Sequence, residues 1–293
     1  MQFGTVDMDR GLRGHLALGM LTVGLLLRAG SLPQKQDLNM SADELVRETV
    51  ANELSAASAP GHYMFRLRKE SAEGSRTMEM IETKKYLIGR LIRINGKPLT
   101  AKQRKKEDER LEKLLSNHSQ LLEEQKKQRE DELYAREIVS ALPQAFFYEY
   151  AATEKIGKGD ECIRLKFHPN PDFVPASRKL QVLTGMEGTM IIDAAAKRLV
   201  EVKAYLFRDV NLGWGILAHL YKGGHFLMQQ RSVGAGRWDL ATLSLHFTGR
   251  ILVFKRLNMN SVRTTSNFRR MPDNLTLVEG LSILKRQDRM KAN

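Results

Sequence analysis

Apolar and polar residues alternate with a period of two along most of the chain, and two stretches instead carry the 3.6-residue period of a helix. The alternation is clearest over residues 187–207, EGTMIIDAAAKRLVEVKAYLF. Two arms rich in β-branched and aromatic residues, 189–193 and 199–207, flank the short polar link 194–198, which predicts a β-hairpin. On the second arm Val200, Val202, Ala204 and Leu206 share one side, while Glu201, Lys203, Tyr205 and Phe207 share the other. One face is therefore apolar and the other amphipathic.

The same texture recurs on both sides of this hairpin. Over 63–69, Tyr63, Phe65 and Leu67 alternate with Met64, Arg66 and Arg68; a Glu73-Gly74-Ser75 turn leads to a strand over 77–83, and a third over 86–94 ends at Asn95-Gly96, a strong hairpin signal. Strands are expected at 146–153 and 162–167 around a Gly157-Lys158-Gly159-Asp160 turn. The loop that follows, 168–175, has three prolines that exclude regular structure, with Phe173 to order it. Beyond the hairpin, 216–222 and 225–231 flank Gly223-Gly224, and 238–247 and 250–259 are joined at Thr248-Gly249. Roughly ten short strands with a turn every eight to twelve residues predict a barrel or a strongly curved antiparallel sheet. Strands adjacent in sequence are expected to pair.

The first helical stretch opens with a capping box, Ser41 and Glu44, and runs to residue 57 with Leu45, Val46, Thr49, Val50 and Leu54 on one stripe, before Pro60-Gly61 breaks it. The second, 100–142, is dense in Lys, Glu, Gln and Arg, with Leu111, Leu114, Leu115, Leu121, Leu122, Leu133 and Ile138 as a narrow seam. A single helix of about 40 residues would travel about 60 Å and part the flanking strands, so a hairpin broken near 116–119 is expected. Its charges read as a solvated face, or as a surface that docks a partner or a membrane. The tail, 285–293, is basic and expected to fray.

At the N-terminus, Arg10 and Arg13, an apolar run over 16–27 and the small residues Ala29-Gly30-Ser31 have the order of a secretory signal. Cleavage after residue 31 would leave one domain over 32–284 with the helical insertion at 100–142. An uncleaved anchor is the alternative, because Arg28 sits close to the cleavage site. No cysteine follows the run, which argues against a lipid-anchored bacterial lipoprotein.

The 293 residues carry a formal net charge of +13, which favours anionic surfaces such as phospholipid headgroups, lipopolysaccharide or nucleic acid. Basic residues interleave with aromatic ones in Tyr63-Met64-Phe65-Arg66, the texture of a single-strand nucleic-acid binder, but an export signal argues against that partner. The single cysteine, Cys162, excludes an internal disulfide and a cysteine-based zinc cluster and reads as a passive strand thiol. There is no Walker loop, His-Glu-x-x-His, Gly-x-Ser-x-Gly or calcium-loop spacing. His219 and His225 flank a glycine turn without a third ligand, and Asp193, Asp209 and Asp239 read as turn residues. The expectation is a chain that catalyses nothing and needs no metal or cofactor.

An N-terminal signal, one amphipathic helix and a long antiparallel meander containing Gly188-Thr-Met-Ile-Ile-Asp193 with Arg198-Leu-Val-Glu-Val202 together resemble the LolA/LolB-like outer-membrane lipoprotein-sorting proteins. In that family an Asp-x-x-x-x-Arg-Leu turn joins two strands of the sheet. The resemblance covers roughly residues 41–270, and the charged insertion departs from it. It implies an incomplete barrel, a curved antiparallel sheet with helices over its mouth, whose apolar face holds acyl chains in the periplasm. A sheet with large apolar residues on both faces must cover the second face or leave a cavity suited to lipid. The candidate lining is Met64, Met80, Phe146, Tyr148, Tyr150, Tyr205, Phe207, Trp214 and Trp238. The expected function is a periplasmic binding protein for a hydrophobic or lipidated ligand, a lipid or an acylated protein, with a lipoprotein carrier of the outer-membrane sorting type as its specific form. The competing expectation is an envelope adaptor that docks a partner protein through the charged helices, with an anionic membrane as a further partner and nucleic acid excluded.

Overall fold

The computed structural model describes residues 40–56, 61–116, 118–156, 160–213, 218–251 and 255–290. The expected signal at 1–31 and Trp214 lie outside them. Helix α1, Ala42–Ala56, begins at the predicted capping box: the Ser41 amide donates to Glu44 Oε2 at 2.9 Å and the Glu44 amide to Ser41 Oγ at 3.2 Å. Strands β1 His62–Ser71, β2 Gly74–Glu82, β3 Leu87–Ile94 and the short β4 Lys97–Pro98 then form a meander. Asn95 and Gly96 both take positive φ, 50° and 75°, as a two-residue primed turn requires.

Two helices, α2, Ala101–Ser116, and α3, His118–Ala145, occupy the charged insertion. A second meander follows, β5 Phe146–Ile156, β6 Asp160–Pro169, β7 Met186–Asp193 and β8 Arg198–Leu206, with a 3-10 helix, Arg178–Gly185, after the proline loop. The short strands β9 Val210–Leu212 and β10 Ala218–Leu220 precede β11 His225–Gly234, β12 Arg237–Ile251, β13 Lys255–Met271 and helix α4, Leu277–Met290.

Among the described residues the result is mainly β: one antiparallel sheet of 13 strands that does not close. Its principal path runs β4-β3-β2-β1-β13-β12-β11-β8-β7-β6-β5, with β10 on β12 and β9 on β10. Pairing of β1 with β13 joins the two meanders through strands about 200 positions apart, which local pattern does not reveal. Among the described residues no helix is long and apolar enough to cross a membrane.

Two expectations fail for identifiable reasons. The strand break placed at Thr248-Gly249 does not exist: β12 continues to Ile251. Gly249 lies opposite Leu220 of β10, and a Cβ there would stand 2.1 Å from the His219 carbonyl oxygen, so it is a close-approach glycine rather than a turn. The tail does not fray at residue 284 but forms α4, opened by a second capping box in which the Thr276 amide donates to Glu279 at 2.8 Å. Leu281 and Leu284 bury against β2 and β3.

The register gives each face of the sheet a distinct cover. Direct cross-strand partners share a face. The main core, around Leu165, Met190, Ile192 and Val202, lies beneath α1, the end of α3 and the 3-10 helix. A smaller cluster of Tyr63, Phe65, Leu67 and Met80 continues along that face at the other end of the sheet. Met64, Ile81 and Ile88 point the opposite way, beneath Leu111 and Leu114 of α2, Leu121 of α3 and α4. The charged α2 meets β3 through matched ions: Arg90 is 2.9 Å from Asp108, Glu107 Oε1 accepts from the Leu91 amide at 2.8 Å, and Arg110 donates to the Gly89 carbonyl at 2.5 Å. Part of the charge read as a solvated face is therefore sequestered against the sheet.

Candidate functional site

The β7-β8 hairpin forms as its pattern predicts, and its turn anchors a larger arrangement. Asp193 Oδ1 accepts from the Ala195 and Ala196 amides at 3.0 and 2.6 Å, while Lys197 takes φ 49° to complete the reversal. Asp193 is thus a turn residue, as expected. Arg198, the next element of the motif, turns under α1 and meets Glu53 twice, at 2.8 Å through Nε and 3.0 Å through Nη2. Glu53 also accepts from the Leu199 amide at 2.9 Å and from Gln230 Nε2 of β11 at 3.2 Å, and the Arg198 guanidinium lies 5.8 Å from the centre of the Trp238 ring. One carboxylate therefore pins the C-terminal part of α1 to β8 and β11.

The helix covers only part of its face. Cross-strand pairing defines one row, Tyr150–Leu165–Met190–Val202–Met228–Leu243, across six strands from β5 to β12. Leu165, Met190 and Val202 are buried, whereas Met228 and Leu243 are half-buried, as are Phe226, Leu240 and Leu245 beside them. An apolar strip thus emerges from beneath α1 and runs half-open over β11 and β12. The row then passes to Arg263, Lys69 and Arg76 on β13, β1 and β2.

The eight expected lining residues among the described ones do not converge on one site. Phe146 and Tyr148 are in the main core, ring against Phe167, and Tyr148 donates to the Leu142 carbonyl at 2.7 Å. Burial pushes the Tyr148 phenol far above its usual pKa. Met80 shares their face but sits in the separate cluster with Phe65. Trp238 is half-buried beside Arg198, and Tyr150 is exposed, its hydroxyl donating to the Met40 carbonyl at 2.9 Å. Met64 faces the opposite side beneath α2 and α4. Tyr205 and Phe207 are exposed, and Tyr205 points away from the α1 face with its hydroxyl on Glu187. The residues missed are Glu53, Gln230, Met228, Leu240 and Leu243. The run Phe226-Leu227-Met228 offers apolar side chains to both faces, and a bulge between Gln229 and Gln230 shifts the pairing, so alternation alone does not select the inner set.

The opposite face carries a cleft of about 370 Å³ over Gly188 and Ala204, bordered by Lys203, Tyr205, His225, Leu227 and Ser244. Its ammonium is already held, with Lys203 2.7 Å from Glu201. His219 does not meet His225 but lies between Asn211 Oδ1 at 2.6 Å and Asp209 Oδ2 at 3.0 Å. The Lys222 amide, donating to Asp209 at 2.8 Å, is the main cause holding that carboxyl below its usual pKa. Asp239 is pushed up by burial against the opposing pull of Arg237 at 2.9 Å. Among the described residues no three His, Cys, Asp or Glu side chains are grouped to hold a metal. Comparison with protein-family models, with curated proteins and with solved structures finds no match.

Proposed function

We infer that this chain is a binding protein for a hydrophobic or lipidated ligand, with no reaction of its own, and that it works in the periplasm as a carrier resembling the lipoprotein-sorting type. The observation that carries the reading is the apolar strip of Phe226, Met228, Leu240, Leu243 and Leu245, half-buried on the same sheet face that α1 seals over β5 to β8. A fully sealed core would bury these side chains, and a fully solvated face would carry polar residues at these positions. Burial of an acyl chain here would gain about 25 cal/mol for each Å² of apolar surface removed from water. The Glu53–Arg198 tether fixes how far α1 reaches across the face.

The direct test is native mass spectrometry of the full-length protein purified gently from an envelope fraction, followed by lipid extraction and uptake of a fluorescent fatty acid. A co-purifying acyl species in near-stoichiometric amount supports the carrier. An empty protein that also fails to take up the probe overturns it. A second reading, an envelope adaptor docking through a hairpin of α2 and α3, rests on Leu115, Leu122 and Leu133, which expose 49%, 48% and 60% of their surface on those helices. Substituting all three by Gln would abolish partner capture in the adaptor and leave fatty-acid uptake unchanged in the carrier.

A further inference from the structure

The apolar row ends on three cations that face one another. Arg263 of β13 lies directly opposite Lys69 of β1, and Lys69 directly opposite Arg76 of β2, so all three project from the face that carries Leu243 and Met228. Like charges in direct cross-strand pairs are destabilising, and strands about 4.8 Å apart place the outer two only about 10 Å from each other. Several other strand cations have a carboxylate partner: Arg66 has Glu79, Arg164 has Glu154, Arg198 has Glu53 and Arg237 has Glu82. The side chains of Lys69, Arg76 and Arg263 have no hydrogen bond and no ion pair among the described residues, and Arg263 Nε is buried without a partner. Desolvation, then the neighbouring Arg263, holds the Lys69 ammonium below its usual pKa, with Asp131 of α3 acting the other way.

The surroundings are amphiphilic. One step along the strands on one side of the cations, Leu67 pairs with Thr265 and with Met78; one step on the other side, Ser71 pairs with Ser261. We propose that the Arg263–Lys69–Arg76 row receives the anionic head, a phosphate or a carboxylate, of an amphiphile whose apolar tail lies along Leu243 and Met228 toward α1. The proposal rests on the carrier reading above and gives its ligand a charge. An anionic head would replace mutual repulsion by charge-assisted hydrogen bonds, including one to the orphaned Arg263 Nε.

The test compares dodecyl phosphate, uncharged dodecanol and inorganic phosphate on the full-length protein by calorimetry, with Arg263→Gln and Lys69→Gln as variants. The wild type should bind dodecyl phosphate at least tenfold more tightly than dodecanol, and each variant should lose about tenfold for the phosphate alone. The ligand-free melting temperature of each variant should hold or rise, since a repulsion has been removed. Dodecanol and dodecyl phosphate binding equally to all three proteins overturns the cation row and leaves the carrier intact. Failure of both dodecyl compounds overturns the carrier and this proposal with it. Inorganic phosphate binding as tightly as dodecyl phosphate shows a free-anion site and overturns the amphiphile.

Discussion

The Glu53–Arg198 pair offers the sharpest test of how α1 is held. Each side chain is 9% exposed, and the Glu53 carboxylate takes four hydrogen bonds, two from Arg198 and one each from Leu199 and Gln230. Glu53→Met would leave a buried guanidinium uncompensated and orphan the Leu199 amide and the Gln230 amide group. A cost of about 3–5 kcal/mol is expected, a loss on the order of 10 °C in melting temperature. Arg198→Met should cost less, because Glu53 keeps two neutral donors. The double variant should be much less destabilised than the sum of the singles, since two apolar side chains of similar volume replace the pair without stranding a charge. Urea denaturation followed by far-UV circular dichroism reads all four proteins, with the transition midpoint as the measure and a constant m-value as the check. A Glu53→Met cost below about 1 kcal/mol, or simple additivity in the double variant, would refute the claim that this carboxylate is the anchor.

Three further outcomes follow from the same geometry. Leu240→Asp and Leu245→Asp, at half-buried positions on the strip, should weaken fatty-acid uptake at least tenfold while lowering stability by about 1–3 kcal/mol; uptake unchanged in folded protein would sink the carrier site. A Cβ on Gly188 would lie 1.9 Å from the Lys203 carbonyl oxygen, whereas Gly96, at φ 75°, has nothing within 4 Å. Gly188→Ala should therefore cost about 3 kcal/mol or more and Gly96→Ala about 1 kcal/mol, and equal urea midpoints would contradict the reading. Burial pushes the Cys162 thiol up to about 11, so the native protein should resist a thiol reagent at pH 8 and react only as it unfolds. Since the unfolded thiol ionises nearer 9, this group's contribution to stability is present below that pH and is lost as pH rises toward 11. Fast labelling at pH 8 without unfolding would refute the shift.

Much of the fold was legible because local chemistry settled it. Ser41 with Glu44 marked where α1 begins, Asn95-Gly96 marked the β3-β4 turn, and Val202, Ala204 and Leu206 sit buried on one face of β8 as their spacing demands. The failures share a cause: each concerned a residue whose role is set by a segment distant in sequence. Gly249 reads as a turn until β10 is laid beside it, and the tail reads as frayed until β2 and β3 provide a surface for Leu281 and Leu284. Aromatic content misled the choice of lining in the same way. Phe146 and Tyr148 are consumed by the core, while Tyr205 and Phe207 remain exposed.

The half-open strip is a consequence of how the meanders join. Each meander can pair internally, but the pairing of β1 with β13 makes a single sheet wider than one helix of 15 residues can cover. α1 spans about 22 Å along its own axis and is committed to β8 and β11 by Glu53, so its apolar stripe of Leu45, Val46 and Val50 is spent over β5 to β8. The other available helices cannot relieve the shortage: α2 and α4 pack on the far side against Ile81 and Ile88, and only the last turns of α3, at Ala141 and Ala145, reach the main core. Met228 and Leu243 are left at the margin of the cover, and beyond them the face changes from apolar to cationic at Arg263. On the reading proposed above, the occupant that closes this margin is apolar at one end and anionic at the other, its chemistry set by the row rather than by a preformed cavity.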